Sequence, residues 1–150
     1  MSQSLAQNFI HLIFSTKDRQ PLITEAVQGR LYPYLAKAFA GQESPAVKIG
    51  GVADHVHVLF RLSKNRALSA VIGSIKGESS KWLKEAFPEL RLFAWQGGYG
   101  AFSVSASKVE SVAEYIANQA EHHRTVGFKE EFRNFLVKCE VDFDERYVWD

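Results

Sequence analysis

The sequence predicts an α+β protein in which an antiparallel sheet carries helices on one face and a further helix follows near the C-terminal end. The chain has 150 residues and is 46% apolar, which suits one domain over residues 1–150. Apolar residues alternate in some segments and recur every three to four residues in others, so strands and helices both occur. The predicted order is β-α-β-β-α-β-β-α-α. Helices separate too few of the consecutive strands for a doubly wound parallel sheet, in which a helix follows nearly every strand. This order favours a ferredoxin-like sheet whose first and third strands are central neighbours.

Each predicted element has a local signal in the sequence. Runs of β-branched and aromatic residues predict strands at 8–16, 46–53, 55–62, 91–96 and 101–106, the last two joined as a hairpin across 97–100. Capping residues and helical periodicity predict helices at 25–40, 67–86, 107–123 and 128–139. Thr24 caps the first helix, and Ser107 forms a capping box with Glu110 at the start of the third.

Composition excludes several classes of protein. One cysteine, Cys139, excludes a disulfide framework and a cysteine-rich zinc site. No apolar run approaches the roughly 20 residues of a membrane span, and no leader opens the chain, so we expect a soluble cytoplasmic protein with no membrane partner. Lys and Arg number 18 against 17 Asp and Glu. Any nucleic-acid binding must therefore come from a local basic patch.

Two histidines share one face of the predicted third strand. Because successive strand residues point to opposite faces, Val56 and Val58 face the core while His55 and His57 point the other way. Imidazoles at i and i+2 on one strand face can chelate a single metal ion, here on the face away from the helices. The alternative interpretation is two polar residues on a solvated sheet face.

A tyrosine lies off the apolar stripe of the predicted 107–123 helix. Tyr115 shares a ridge with Gln119 and His122, whereas Ile116 and its apolar neighbours form the buried stripe. A phenol beside an amide and a two-histidine metal site suggests a nucleophile that attacks phosphorus while the metal polarises the phosphate. A surface or interface tyrosine is the alternative.

These motifs resemble one protein family over nearly the whole chain and in the same order. The matching segments are HVHVLF with His55 and His57, the GYGAFSVS segment, YIANQAEHH with Tyr115 and Gln119, the opening HLIFSTKDRQPLI and the closing VDFDERYVWD. The family is that of the single-tyrosine HUH transposases, small enzymes of insertion sequences that move as single-stranded DNA.

The resemblance implies a mechanism for a single catalytic domain. His55, His57 and Gln119 would bind a divalent cation, Mg²⁺ or Mn²⁺, of which Mn²⁺ suits imidazole better. Tyr115 would attack a DNA phosphate near a hairpin, leaving a 5′-phosphotyrosine and a free 3′-OH. The family also implies a homodimer, and 11 Phe, 5 Tyr and 3 Trp in so small a chain agree with a buried apolar surface.

Accessory residues are predicted with alternatives left open. Asp54 is an occasional metal ligand or a turn carboxylate, His11 approaches the metal face or is an ordinary buried histidine, and His122 orients substrate. His123, nearer the apolar stripe, is interpreted as structural. Candidate DNA contacts, each of which singly also suits a solvated surface, are Lys17, Arg19, Lys76, Lys81 and Lys108.

Three rival functions remain open at the level of sequence. A domesticated protein of the same fold would hold nucleic-acid hairpins without cleaving them, since a ferredoxin-like sheet is a common platform for RNA and DNA. A replication initiator or relaxase would share the HUH chemistry, although such chains are usually larger. A metal-dependent hydrolase would use water, with Tyr115 only structural.

Overall fold

The computed structural model describes residues 2–150 and contains one four-stranded antiparallel sheet. The strands are β1 (Asn8–Ser15), β2 (Ala46–Val52), β3 (His55–Leu62) and β4 (Gly100–Val104). Their order in the sheet is β2-β3-β1-β4, so β1 and β3 are central neighbours. The helices are α1 (Glu25–Gly41), α2 (Leu68–Ala86), α3 (Val109–Ala117), α4 (Gln119–His122) and α5 (Phe128–Lys138). The predicted α+β, ferredoxin-like class is confirmed.

The main hydrophobic core lies between one sheet face and the helices α1 and α2. Side chains that alternate along β1 and β3, such as Leu12, Phe14 and Val58, are fully buried there. They pack against residues on one face of each helix, including Leu31 and Ile72. This arrangement follows from the period-2 and period-3.6 patterns that predicted the elements.

The second sheet face is also covered, because the C-terminal helices lie across it. Ile13 of β1 and Phe102 of β4 pack against Phe128, Phe132 and Leu136 of α5. Helix α3 packs over β2 and β3 beside them. The face that carries His55 and His57 was expected to point away from helices, but it is a buried interface with α3 to α5.

The predicted 91–96 strand and its hairpin are wrong. Within this segment only Trp95 makes a β-bridge, to Thr16. Phe93 and Trp95 are instead buried against the α2 side of the sheet, where the Trp95 indole donates to Ser79 Oγ at 2.9 Å. Alternating aromatic residues here anchor a loop into the core, which the strand pattern alone does not distinguish.

The predicted 107–123 helix is divided in two. A 3-10 turn over Ala106–Lys108 precedes α3, and the side chain of Ser107 makes a hydrogen bond with Ser105 Oγ rather than capping the helix. Asn118 has ψ of 20° and separates α3 from α4. The break changes the direction of the residues that follow Asn118.

Gly50 permits α3 to approach the sheet directly above the histidines. It lies opposite His57 in the β2–β3 ladder. A Cβ at this position would lie 2.5 Å from the Ile116 carbonyl oxygen and 2.8 Å from its Cγ2. The helix that carries Tyr115 can therefore rest on β2 only because residue 50 has no side chain.

We predict that Gly50→Ala lowers the free energy of unfolding by about 1–3 kcal/mol, as overpacking typically does. Gly29→Ala is the matched control, because a Cβ there meets nothing within 4 Å in the middle of α1. It should raise stability by about 0.5–1 kcal/mol. Urea unfolding of both variants tests this, and equal stability of Gly50→Ala and wild type would show that α3 does not depend on the glycine.

Candidate metal and nucleophile site

His55 and His57 lie side by side in the middle of the sheet. Both side chains are fully buried, and their ring centroids are 5.1 Å apart. Both Nε2 atoms point toward α5, away from the main core. The i, i+2 spacing therefore brings two imidazoles to one place, as an ion chelated by a strand requires.

A buried carboxylate from α5 meets the two imidazoles. Glu131 Oε1 lies 2.9 Å from His57 Nε2 and 3.3 Å from His55 Nε2. It also lies 3.2 Å from Nε2 of His123, which follows α4. One potential ligand atom from each of these four residues lies within 4.8 Å of the others. We call them the His–Glu cluster.

Sequence reasoning missed Glu131 and assigned His123 a structural role. A signal for Glu131 was present, because it follows Phe128 by three residues and precedes Phe135 by four, and so lies on the apolar stripe of α5. A charged residue on a buried stripe must find a partner or a ligand. His123 gave no comparable signal, because its direction depends on the break at Asn118.

The cluster contains one negative charge, on the Glu131 carboxylate, and one positive charge, on the His55 imidazole. Burial opposes ionisation of Glu131, but hydrogen bonds from the histidines outweigh it and hold the pKa of Glu131 far below its usual range. Burial also opposes the charge on His55, yet hydrogen bonds to Asp54 and Glu131 raise its pKa to about 9. Burial lowers the pKa of His57 to about 4. Glu131 and His55 therefore form a buried ion pair.

The Nδ1 atom of each imidazole in the histidine pair, which faces away from Glu131, has its own hydrogen-bonding partner. Asp54 Oδ1 lies 2.7 Å from His55 Nδ1, and His11 Nε2 lies 2.8 Å from His57 Nδ1. Burial, with His57 next to it, lowers the pKa of His11 to about 3, so this ring is neutral. Partners on Nδ1 leave Nε2 free to face a ligand, as in metal-binding histidines. Asp54 and His11 therefore lie behind the pair, not in the cluster.

Gln119 joins the cluster from the first position of α4. Its side chain is buried, with Oε1 3.1 Å from His55 Nε2. Its Nε2 donates to Glu131 Oε2 at 3.2 Å. The amide oxygen expected to bind a metal thus faces the same imidazole as the carboxylate.

Tyr115 shares the carboxylate with the histidines. Its hydroxyl donates to Glu131 Oε2 and lies 3.2 Å from Nε2 of His122. Burial and the adjacent carboxylate raise the pKa of the half-buried phenol above its usual value. All these side chains come from one chain, so the structure brings the predicted nucleophile and histidine pair together without a second copy.

The candidate DNA-contacting residues differ in whether their charged groups are free to meet a phosphate or are already bonded within the protein. Lys76 Nζ donates to the carbonyl oxygens of Gln96 at 2.7 Å and Gly98 at 2.6 Å, and burial lowers its pKa to about 8. Arg19 donates to the Trp149 carbonyl at 3.0 Å. Both cations therefore hold loops in place. Lys17, Lys81 and Lys108 are exposed, and Lys81 is on α2, across the sheet from Tyr115.

The residues of the cluster fit a divalent cation. Three imidazoles, a carboxylate and an amide oxygen converge, a donor set better suited to Mn²⁺ and later metals than to Mg²⁺. The buried His123 Nε2 makes no hydrogen bond of acceptable geometry, although Glu131 is near. A bound cation would satisfy this unpaired nitrogen, which is aimed at a carboxylate.

The sequence profile of the family described as "Transposase IS200 like" matches residues 4–119. The chain belongs to this family. It is 25% identical over 114 residues to the ISDra2 transposase TnpA of Deinococcus radiodurans, covering 73% of this chain and 81% of the relative. It is 24% identical over 119 residues to the Salmonella typhimurium transposase for insertion sequence element IS200, covering 76% and 78%. The matched range includes Tyr115 and Gln119 but ends before His123 and Glu131.

Solved structures support the fold of this IS200-like transposase. A crystal structure described as a transposase of Deinococcus radiodurans R1 superposes with a TM-score of 0.65 at 24% identity, over 79% of this chain and 98% of that one. A REP-associated tyrosine transposase bound to a REP hairpin gives a TM-score of 0.62 at 14% identity, over 84% and 76%. Between residues 2 and 150, no helix combines the length and apolar character needed to cross a membrane.

We predict that the chain binds Mn²⁺ through the His–Glu cluster and that His57→Ala abolishes this binding, because it removes a central imidazole. Asp54→Asn should weaken binding roughly 10–100-fold by loosening His55. Asp142→Asn, in the exposed C-terminal segment, is the control and should bind as wild type does. Titration calorimetry measures all four proteins, and equal binding by wild type and His57→Ala would exclude the cluster.

Proposed function

We propose that this IS200-like transposase is a metal-dependent endonuclease and strand transferase of single-stranded DNA. It forms a 5′-phosphotyrosine intermediate on Tyr115 at element ends marked by hairpins. The observation that carries the proposal is that one buried carboxylate, Glu131, contacts both the Tyr115 hydroxyl and the histidine pair. A nucleophile and a cation-binding cluster are thereby held in one place.

Tyr115 performs the covalent step. Its oxygen forms a bond to phosphorus as the bond from phosphorus to the 3′ oxygen breaks. Glu131 Oε2 accepts the hydrogen bond of the phenol and so orients it. The phenol proton passes to a water molecule, and the departing 3′ oxygen takes a proton from water. The phosphotyrosine conserves the phosphodiester energy, so a second 3′-OH can attack it and rejoin the strand without ATP.

The other residues of the site have distinct tasks. His55, His57, Gln119 and Glu131 would hold the cation, which when bound neutralises charge on the phosphate oxygens. Asp54 and His11 orient the histidine pair from behind. His122 lies within hydrogen-bond distance of the phenol oxygen and limits its movement.

The substrate and assembly are proposed on separate grounds. The relative bound to a REP hairpin supports a hairpin in single-stranded DNA as the substrate class. A homodimer and a cytoplasmic location remain predictions. Tyr115, Glu131 and the histidine pair of one chain meet, which supports action of the tyrosine within its own chain. The family resemblance also implies that, in a dimer, the tyrosine helix can complete the metal site of the partner.

We predict that Tyr115→Phe folds and binds DNA but no longer cleaves it, because only the nucleophilic oxygen is lost. Tyr147→Phe is the control, since this side chain is 64% exposed and distant in sequence from the cluster. Each protein is incubated with Mn²⁺ and with single-stranded oligonucleotides that together cover the DNA on either side of the gene. A denaturing gel then detects the covalent adduct, which wild type and Tyr147→Phe should form.

The same gel distinguishes the rival functions. Binding with no cleavage by wild type would favour the domesticated hairpin-binding protein. Cleavage without an adduct, retained in Tyr115→Phe, would favour a hydrolase that uses water. An adduct that maps by mass spectrometry to another tyrosine would show that Tyr115 is not the nucleophile.

A further inference from the structure

A cavity of about 170 Å³ opens beside the phenol of Tyr115. Tyr115, His122 and Glu131 form its inner part, and Asn134, Phe135 and Lys138 of α5 complete the lining. The cavity therefore connects the His–Glu cluster with solvent next to the nucleophilic oxygen.

One wall of this cavity is a single face of α5. Glu131, Asn134, Phe135 and Lys138 follow the i, i+3, i+4, i+7 spacing that aligns side chains along a helix. Glu131 is buried at the inner end, whereas Asn134 and Lys138 are exposed at the outer end. Elsewhere on α5, Arg133 pairs with Glu145, but no ion pair within residues 2–150 involves Lys138. The lysine is thus a free cation at the opening.

The chemistry at Tyr115 determines what this cavity must accept. A nucleophile reacts when the target atom lies within roughly 3–3.5 Å, so the attacked phosphodiester has to enter beside the phenol. The exposed Lys138 ammonium in the cavity lining supplies a positive charge that attracts a phosphate. An ammonium and an amide N–H are suitable donors to phosphate oxygens.

We infer that the cavity is the binding site of the scissile phosphodiester, and that Lys138 and Asn134 contact its non-bridging oxygens. This inference rests on the proposed function, because it assumes that Tyr115 attacks DNA. It places substrate contacts on α5, outside the residues that match the family profile. The two side chains should affect salt dependence differently. Lys138 neutralises a phosphate charge, while Asn134 donates a hydrogen bond without adding charge.

Salt dependence of DNA binding distinguishes a phosphate contact from a structural role. In the full chain carrying Tyr115→Phe, which prevents cleavage, Lys138→Ala should raise the Kd about tenfold at low salt. It should also reduce the slope of log Kd against log salt concentration by about 0.7, the value expected when the protein neutralises one phosphate fewer on a single strand. Asn134→Ala should raise the Kd without changing the slope. Lys138→Arg should restore both.

The probe is the fluorescein-labelled oligonucleotide, among those covering the DNA on either side of the gene, that the parent binds most tightly by fluorescence anisotropy. Lys37→Ala, on the opposite sheet face in α1, is the control and should keep the parent Kd and slope. An unchanged Kd and slope in Lys138→Ala, or no binding by the parent, overturns the inference. Adduct formation by wild type is measured separately. If wild type forms the adduct but Lys138→Ala keeps the parent Kd and slope, the phosphate site is wrong and the cleavage proposal is retained. If Lys138→Ala shows the expected change in slope but wild type forms no adduct, the cleavage proposal is wrong and the phosphate site is retained.

Discussion

A carboxylate buried among imidazoles is the interaction on which the C-terminal half of this protein depends. A buried, ionised side chain is costly unless charged or hydrogen-bonding partners surround it. Glu131 meets this demand through His55, His57 and His123, with Gln119 and Tyr115 on its second oxygen. These contacts stabilise helix α5 in the position that also brings the carboxylate to the phenol.

The sheet and the break at Asn118 make this docking possible. The central position of β3 buries the histidine pair, and Gly50 beside it lets α3 lie close above. Because the chain turns at Asn118, Gln119 points into the cluster, and His123 reaches the same cluster one helical turn later. The fold thus assembles a site from elements far apart in sequence, while the main core under α1 and α2 remains separate.

Sequence patterns predict what is periodic and miss what depends on tertiary direction. Strand alternation identified His55 and His57, and helical spacing placed Tyr115 near Gln119, because both arguments need only local geometry. The same alternation misassigned Phe93 and Trp95, whose burial comes from helix α2 rather than a strand partner. The apolar stripe of α5 indicates that Glu131 is buried, but its partners lie 74 and 76 positions away in β3, so the local pattern does not identify what the carboxylate contacts.

We propose that the buried histidines and Glu131 form a cation centre beside Tyr115. Pulsed electron paramagnetic resonance of Mn²⁺ bound to protein with ¹⁵N-labelled histidine tests it most directly, because the spectrum reports nitrogen atoms bonded to the ion. We expect coupling to at least two histidine nitrogens, and a weaker coupling in His57→Ala. A spectrum without any coupled histidine nitrogen would contradict it.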